Sequence, residues 1–166
     1  MVKAYERIFG SGPLLLALTI ILLVAAVRLQ HLVWLPLLPW SASICLGLAG
    51  LVLILGGVSL IWSLRTLPLT ERGRRLVTEG PYQYVRHPLY STMFLSLGLA
   101  AFFVTRTFWV LVAIGSLFAL AHLLVRREEA FMERCFGEAW RTYARRTPRF
   151  FPRWRPRKRN DEAMGP

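Results

Sequence analysis

The sequence predicts an all-α, polytopic membrane protein with about four transmembrane helices plus a C-terminal amphipathic helix. Three observations support this fold class. Hydrophobic residues make up 55% of the 166 residues, they fall into four long runs, and the charged residues lie almost entirely outside those runs. A soluble domain of this length rarely carries such an excess of apolar residues, because they would have to lie on its surface. The length itself suits one domain.

Each apolar run is close to the roughly 20 helical residues that cross the hydrocarbon core of a bilayer. The predicted spans are residues 8–27, 41–64, 88–104 and 107–125. In lipid the backbone polar groups must bond to one another, so each run is predicted to be a helix. The first run also has the preceding basic residues of a signal peptide, but its apolar core is long for one and the cleavage context is poor.

The basic residues are distributed asymmetrically around these runs. Of the 21 Lys and Arg residues, 19 lie before the first run, between the second and third, or after the fourth; Arg28 and Arg106 lie on the other side. The positive-inside rule therefore predicts that both termini and the middle loop are cytoplasmic. The predicted location is multi-pass, in a bacterial-type inner membrane.

The middle loop ends in a short polar motif at the start of the third run, Arg86-His87-Pro88-Leu89-Tyr90. Pro88 suits the first position of a helix, where its missing N–H costs nothing. This places Arg86 and His87 at a helix N-terminus, whose partial positive charge can hold a carboxylate or phosphate. The alternative is an interfacial anchor, because arginine, histidine and tyrosine are common at bilayer edges.

Three further ionisable side chains lie on or near the fourth run. Glu128 and Glu129 are adjacent at its end, in a chain with nine acidic residues. They either face a cationic ligand or pair with neighbouring arginines on an exposed helix. His122 lies seven residues before Glu129 on roughly the same face, and an ionisable residue inside a span is a functional candidate. The two cysteines have no spacing typical of a metal site or a disulfide framework.

The C-terminal region divides into an amphipathic part and a basic part. Residues 127–146 repeat apolar side chains at helical spacing, which predicts a helix lying on the membrane or on the domain. The stretch from Arg145 to Arg159 holds eight basic residues in fifteen. Anionic lipid head groups are its predicted partner, and nucleic acid is not expected. We predict a membrane domain over 1–152 and a flexible basic tail over 153–166.

Two stretches of the chain resemble a known family. The sequence from Leu76 to Tyr90, LVTEGPYQYVRHPLY, is similar to the signature of the isoprenylcysteine carboxyl methyltransferase and phospholipid methyltransferase superfamily. The later features follow in the family's order and spacing: Glu128-Glu129, Phe136-Gly137, Tyr143 and Pro148-Arg149-Phe150-Phe151-Pro152. The resemblance covers roughly residues 65–152, about half of the chain.

The resemblance implies an integral membrane methyltransferase that uses S-adenosylmethionine without a Rossmann domain. By match to the family's motifs, the implied cofactor-binding residues are Arg86, His87, Pro88, Tyr90, Gly98, Glu128 and Glu129. We take Arg86 and His122 as the candidate catalytic residues, with His122 as the possible general base. Phospholipid methyltransferases tend to have Gly-x-Gly in the third helix, where this chain has Gly98-Leu99-Ala100.

These residues suit the chemistry of S-adenosylmethionine, which carries a carboxylate, an ammonium and a sulfonium. Methyl transfer needs in-line alignment of nucleophile, methyl carbon and sulfur, and it needs no metal. The expected acceptor is lipid-like or small and apolar, with an isoprenylcysteine-type carboxylate favoured over a phospholipid amine or a thiol. A membrane reductase is a rival, although this chain is short for one. The rival from another class is a non-catalytic adaptor that binds anionic membrane lipids through its basic tail.

Overall fold

A computed structural model describes residues 11–68, 71 and 73–152 of the chain. Four helices in it are long and apolar enough to cross a membrane: α1 (Gly12–Leu32), α2 (Ala42–Thr66), α3 (Pro88–Thr105) and α4 (Trp109–Arg146). A 3-10 turn, Gly80–Gln83, precedes α3, and the described residues contain no strand. The predicted all-α, four-span membrane fold is confirmed. The first seven residues, the predicted start of the first span and the tail 153–166 lie outside the described residues.

Local sequence signals set most of the helix ends. Ser41 caps α2, with its hydroxyl accepting a hydrogen bond from the Ile44 N–H at 3.4 Å. Pro88 is the first residue of α3, as predicted. Arg106 ends α3 in the left-handed conformation, with φ 55°, and this tight turn starts the predicted hairpin to α4. Helix α1 continues five residues past the predicted end at 27, because nothing before Pro36 interrupts a helix.

The boundary between the fourth span and the amphipathic stretch lies further along the chain than the sequence predicts. Helix α4 is kinked at Gly137, whereas the predicted boundary lies at residue 126. At about 1.5 Å per residue, the part of α4 from Trp109 to Phe136 is roughly 42 Å long, so this part alone exceeds the roughly 30 Å hydrocarbon core. The charged residues from Arg126 to Glu129 do not end a helix, since neither proline nor glycine is among them. The apolar part of α4 therefore continues without a break into the part that carries Glu128 and Glu129.

Gly137 redirects the end of α4 toward the rest of the domain. Its φ of 53° and ψ of −125° form a conformation that glycine adopts far more easily than other residues. Beyond it, Trp140 and Tyr143 are buried, and the Tyr143 hydroxyl donates a hydrogen bond to the Tyr82 carbonyl at 2.6 Å. The amphipathic stretch thus packs on the domain, one of the two arrangements predicted for it.

The helices pack mainly in two pairs, α2 with α3 and α1 with α4, and α3 also contacts α4. Small and hydroxyl side chains line the α2–α3 contact. A Cβ on Gly56 would overlap the side chain of Ser96, and the Ser59 and Thr92 hydroxyls are 2.8 Å apart. Such residues let membrane helices approach closely and bond across the contact.

The connectors between α1 and α2 and between α3 and α4 meet at one end of the bundle. The Thr107 hydroxyl donates to the Gln30 side chain at 2.7 Å, and the Trp109 indole N–H donates to the Val33 carbonyl at 3.1 Å. The Leu38 N–H donates to the Arg106 carbonyl at 2.9 Å. The start of α1, the start of α3 and the Glu128-Glu129 pair therefore share the opposite end.

Candidate active site

The first turn of α3 is bound by a segment from the end of the described chain. The Arg86 and His87 N–H groups donate to the carbonyls of Pro148 and Arg149 at 2.8 and 3.0 Å. One turn further on, the Ser91 hydroxyl donates to the Phe150 carbonyl at 2.8 Å. Residues 86 and 87 precede a proline and cannot pair within the helix, so the segment 148–150 satisfies their backbone.

Glu129 is the centre of a buried ionic cluster at this position. Its carboxylate accepts from Arg86 Nη1 at 2.8 Å, from Arg149 Nη2 at 2.6 Å and Nε at 3.0 Å, and lies 3.4 Å from His87 Nε2. Glu129 is only 8% exposed. A buried carboxylate is tolerated when it is paired and hydrogen-bonded in this way.

Glu129 lies past the apolar part of α4, and its surroundings shift the pKa of its carboxyl group. Burial by itself raises the pKa of this carboxyl. The hydrogen bonds from His87 and Arg149 and the charge of Arg86 outweigh burial and lower the pKa from 4.5 to about 2. Glu129 is therefore ionised at any physiological pH.

Glu128 occupies a different environment from its neighbour. Its Oε1 atom accepts from the Tyr90 hydroxyl at 2.8 Å and from the Ser11 N–H at 2.5 Å. Its Oε2 atom lies 3.9 Å from His87 Nδ1, beyond hydrogen-bonding distance. The side chain is 22% exposed. Glu128 thus joins the starts of α1 and α3 to α4, and among the described residues no donor lies within bonding range of its Oε2 atom.

Aromatic rings surround the charged groups. His87 is stacked on Tyr90, with ring centroids 5.8 Å apart and an angle of 11° between the planes. The Arg86 guanidinium lies over the Trp140 ring, 5.9 Å from its centroid, which is within the range of a cation–π contact. The fold-back at Gly137 is what brings Trp140 under Arg86.

The structure brings together five of the predicted site residues. Arg86, His87, Tyr90, Glu128 and Glu129 are linked through the bonds above, and Pro88 begins α3, which carries Tyr90 and directly follows Arg86 and His87. Taken alone, the charge pattern favours local pairing of the two glutamates with neighbouring arginines, whereas the structure pairs them with residues at the start of α3 and with Arg149. The exposed local pairing with Arg126 and Arg127 is not what these side chains form.

Gly98 and His122 do not join this ionic cluster. Gly98 lies eleven residues after His87, about 16 Å along α3. It packs on α4, where a Cβ would lie 2.6 Å from Ile114 Cγ1. His122 Nδ1 is 3.2 Å from the Phe118 carbonyl, and its ring packs against the rings of Phe118 and Phe150. Through Phe150, His122 borders the segment that binds α3.

Sequence reasoning gave no role to Arg149, although the motif that contains it was part of the resemblance. The sequence feature that could have identified Arg149 is its position between Pro148 and Phe150, in a stretch otherwise interpreted as a basic surface. Phe150 is 3% exposed, so the motif anchors the segment in the core. The buried Phe150 therefore keeps the neighbouring Arg149 close to the domain.

An apolar cavity of about 290 Å³ lies next to the ionic cluster, between α3, α4 and the segment 150–151. Its lining is almost entirely carbon: Ser91, Phe94, Leu95, Leu111, Ile114, Gly115, Phe118, Phe150 and Phe151. Ser91 and Phe150, which join the segment to α3, also line the cavity. Charged groups and an apolar cavity therefore share one wall. Among the described residues, no three His, Cys, Asp or Glu side chains are grouped so that they could hold a metal ion.

This fold and site define the class of protein. The model of the isoprenylcysteine carboxyl methyltransferase family matches residues 40–134, more than half of the chain. The chain belongs to this family of integral membrane proteins. The match includes the Arg86-His87-Pro88 motif and both glutamates, and it ends before Pro148.

Two proteins are also similar to this chain over part of its length. The chain is 37% identical over 116 residues to the cobalt-zinc-cadmium resistance protein CzcN of Cupriavidus metallidurans, covering 69% of this chain and 52% of that protein. It is 41% identical over 85 residues to the nickel-cobalt-cadmium resistance protein NccN of Alcaligenes xylosoxydans xylosoxydans, covering 50% of this chain and 38% of that protein. The chain thus spans about half the length of the first relative and less of the second.

Proposed function

We propose that the protein transfers a methyl group from S-adenosylmethionine to an amphiphilic acceptor that enters from the bilayer. The observation that carries this proposal is the shared wall between the ionic cluster at the end of the bundle and the apolar cavity between α3 and α4. A polar cofactor and an apolar acceptor can meet there. The family's name, which specifies carboxyl methyl transfer, supports the same reaction.

The side chains of the cluster fit the cofactor by their chemistry. Arg86, Arg149 and the first turn of α3 can receive a carboxylate, and Glu128 can receive an ammonium or a ribose hydroxyl. Tyr90 and His87 offer aromatic faces for a sulfonium. When bound, S-adenosylmethionine supplies an activated methyl group, and the protein has to hold it in line with the acceptor while keeping water out.

The cavity supports an acceptor whose apolar part lies between α3 and α4. We favour an isoprenylcysteine-type carboxylate, because an ionised nucleophile needs no base and its charge is cancelled by the sulfonium in the transition state. A phospholipid amine or a thiol would need to lose a proton. His122, which packs against two phenylalanines of the cavity wall, is our candidate base for such acceptors.

The distribution of charge supports a cytoplasmic location for the site. The end of the bundle that holds the cluster also carries Arg65, Arg126 and Arg127, whereas Arg28 and Arg106 lie toward the other end. By the positive-inside rule, the cluster end and both termini face the cytoplasm, where we expect the cofactor to be available.

The test is transfer of labelled methyl from S-adenosylmethionine by the full-length protein in vesicles. The acceptor panel consists of an isoprenylcysteine analogue, an amino phospholipid and a small apolar thiol. We expect Arg86→Ala to abolish labelling of the true acceptor, while Glu138→Gln on the exposed face of α4 does not change it. If no acceptor is labelled, and the detergent-purified protein binds anionic lipid in a way that removal of residues 153–166 abolishes and Arg86→Ala does not change, the adaptor function replaces this proposal.

The names of the relatives concern resistance to cobalt, zinc, cadmium and nickel, which is a phenotype and not a reaction. We propose that any such role of this chain would depend on its methyl transfer. Growth on these metals with the wild-type chain and with Arg86→Ala tests this link. Equal growth of the two strains would separate resistance from methyl transfer.

A further inference from the structure

The two adjacent glutamates differ in what they can still bind. Both oxygens of Glu129 accept hydrogen bonds from arginine, and its side chain is 10% exposed. Glu128 is twice as exposed, at 22%, and in the part of the chain that the structure describes its Oε2 atom has no donor closer than His87 Nδ1 at 3.9 Å. A ligand cation can therefore reach Glu128 without breaking an ion pair, whereas at Glu129 it would have to displace a guanidinium.

Arg149 has the complementary property. An arginine side chain has five N–H donors, and Glu129 engages the Nε and one Nη2 donor of Arg149. Its side chain is 27% exposed, more than that of Arg86 at 12%. Arg149 can thus receive an anion through its remaining donors while Glu129 still holds it in place.

The charges consequently separate into two ends on either side of His87. On the Nε2 side of the ring, the Arg86 and Arg149 guanidiniums both bind the Glu129 carboxylate, and Arg149 keeps donors that Glu129 does not engage. On the Nδ1 side lies Glu128, whose bonded partners are the neutral Tyr90 hydroxyl and the Ser11 N–H. A ligand with an ammonium and a carboxylate on one carbon atom matches such a pair of ends.

We propose that the site is polarised for an α-amino acid group: Arg149 receives the carboxylate of the cofactor, Glu128 receives its ammonium, and Glu129 is a positioning residue that holds Arg149 and Arg86. This inference rests on the proposed use of S-adenosylmethionine. It assigns a binding role to Arg149, which lies beyond the residues matched by the family model. It also assigns different roles to two adjacent carboxylates.

The experiment compares three ligands in calorimetric titrations of the full-length protein in detergent. The probes are S-adenosylhomocysteine, its decarboxylated analogue and its deaminated analogue. Charge-assisted hydrogen bonds are worth about 1.5–3 kcal/mol, so each lost contact should weaken binding by about 10-fold or more. We expect Arg149→Gln to weaken the two ligands that carry a carboxylate and to leave the decarboxylated analogue within about 2-fold of its wild-type affinity.

The glutamate variants give the sharper comparison. Glu128→Gln should weaken the two ligands that carry an ammonium and spare the deaminated analogue. Glu129→Gln should follow the pattern of Arg149→Gln, because it acts through the arginines. Arg145→Gln, an exposed arginine paired with Glu138, is the matched control and should change none of the three affinities.

The ratio between ligands is measured within each variant, so partial unfolding of a variant does not affect it. Arg149→Lys keeps the charge without the planar fork and should give an intermediate loss for carboxylate ligands. If Arg149→Gln weakens all three ligands equally, Arg149 is merely structural and the assignment is wrong. If Glu129→Gln follows Glu128→Gln, the division between the glutamates is wrong. If the folded wild-type protein binds none of the ligands, the proposed function itself fails, and this inference with it.

Discussion

Replacing Glu129 with alanine removes the carboxylate that holds Arg86 and Arg149 together, and its effect on stability can be worked out from the structure. The pKa of Glu129 falls from 4.5 to about 2 in the folded protein, which corresponds to about 3 kcal/mol at neutral pH. Removing one partner of a buried ion pair costs about 3–5 kcal/mol in proteins generally. We take the lower figure, because Arg149 is 27% exposed and water screens it.

A loss of about 3 kcal/mol should lower the melting temperature by roughly 6–12 °C for a chain of this length. The assay is thermal unfolding of the purified protein in detergent at neutral pH. Glu138→Ala is the matched control, because this glutamate lies on the same helix and its ion pairs with Arg141 and Arg145 are exposed. We expect the control to melt close to the wild type. If Glu129→Ala melts no lower than Glu138→Ala, the buried ionic cluster does not stabilise this end of the bundle as described.

Three further outcomes are expected in the same melting assay. The ionised Glu129 carboxylate stabilises the folded protein above pH 4.5, and this stabilisation is lost as pH falls toward 2. The melting temperature of the wild type should therefore fall more steeply than that of Glu129→Gln between about pH 5 and about pH 3. Parallel curves for the two proteins would show that Glu129 is not the source of the pH dependence. Gly137→Ala should lower the free energy of unfolding by about 1–3 kcal/mol, because alanine is strained at φ 53° and ψ −125°. Gly115→Ala, where a Cβ would lie in open space within the same helix, should leave this free energy unchanged or raise it. Tyr143→Phe leaves the Tyr82 carbonyl without its 2.6 Å donor and should cost about 1–3 kcal/mol; an equal loss in Arg141→Gln, on the exposed face, would argue against a specific role for that bond.

Hydropathy and charge were sufficient to predict the spans, because a bilayer imposes one length and one internal bonding rule on every helix. The predicted boundary between the fourth span and the amphipathic stretch lies before the kink at Gly137 for a physical reason. A change from apolar to charged residues alters what surrounds a helix, and it does not end one. The fold-back at Gly137 depends on a single backbone conformation. Periodicity over residues 127–146 contains no signal for it.

The site was predictable to the extent that it lies within contiguous motifs. Arg86, His87 and the two glutamates are adjacent pairs in the sequence and became candidates by resemblance. Their partners were not predictable, because the contacts of residues 86 and 87 with the segment 148–150 join positions more than 60 residues apart. A one-dimensional pattern does not contain such pairing. For the same reason, the sequence left open which glutamate meets a ligand.

The most direct test of the account is a calorimetric titration of S-adenosylhomocysteine into the detergent-purified wild-type protein and its Glu128→Gln variant. We predict saturable binding with one site per chain in the wild type, and at least about 10-fold weaker binding in the variant. No heat of binding from a folded, monodisperse wild-type sample would contradict the cofactor site and, with it, the proposal that this membrane protein is a methyltransferase.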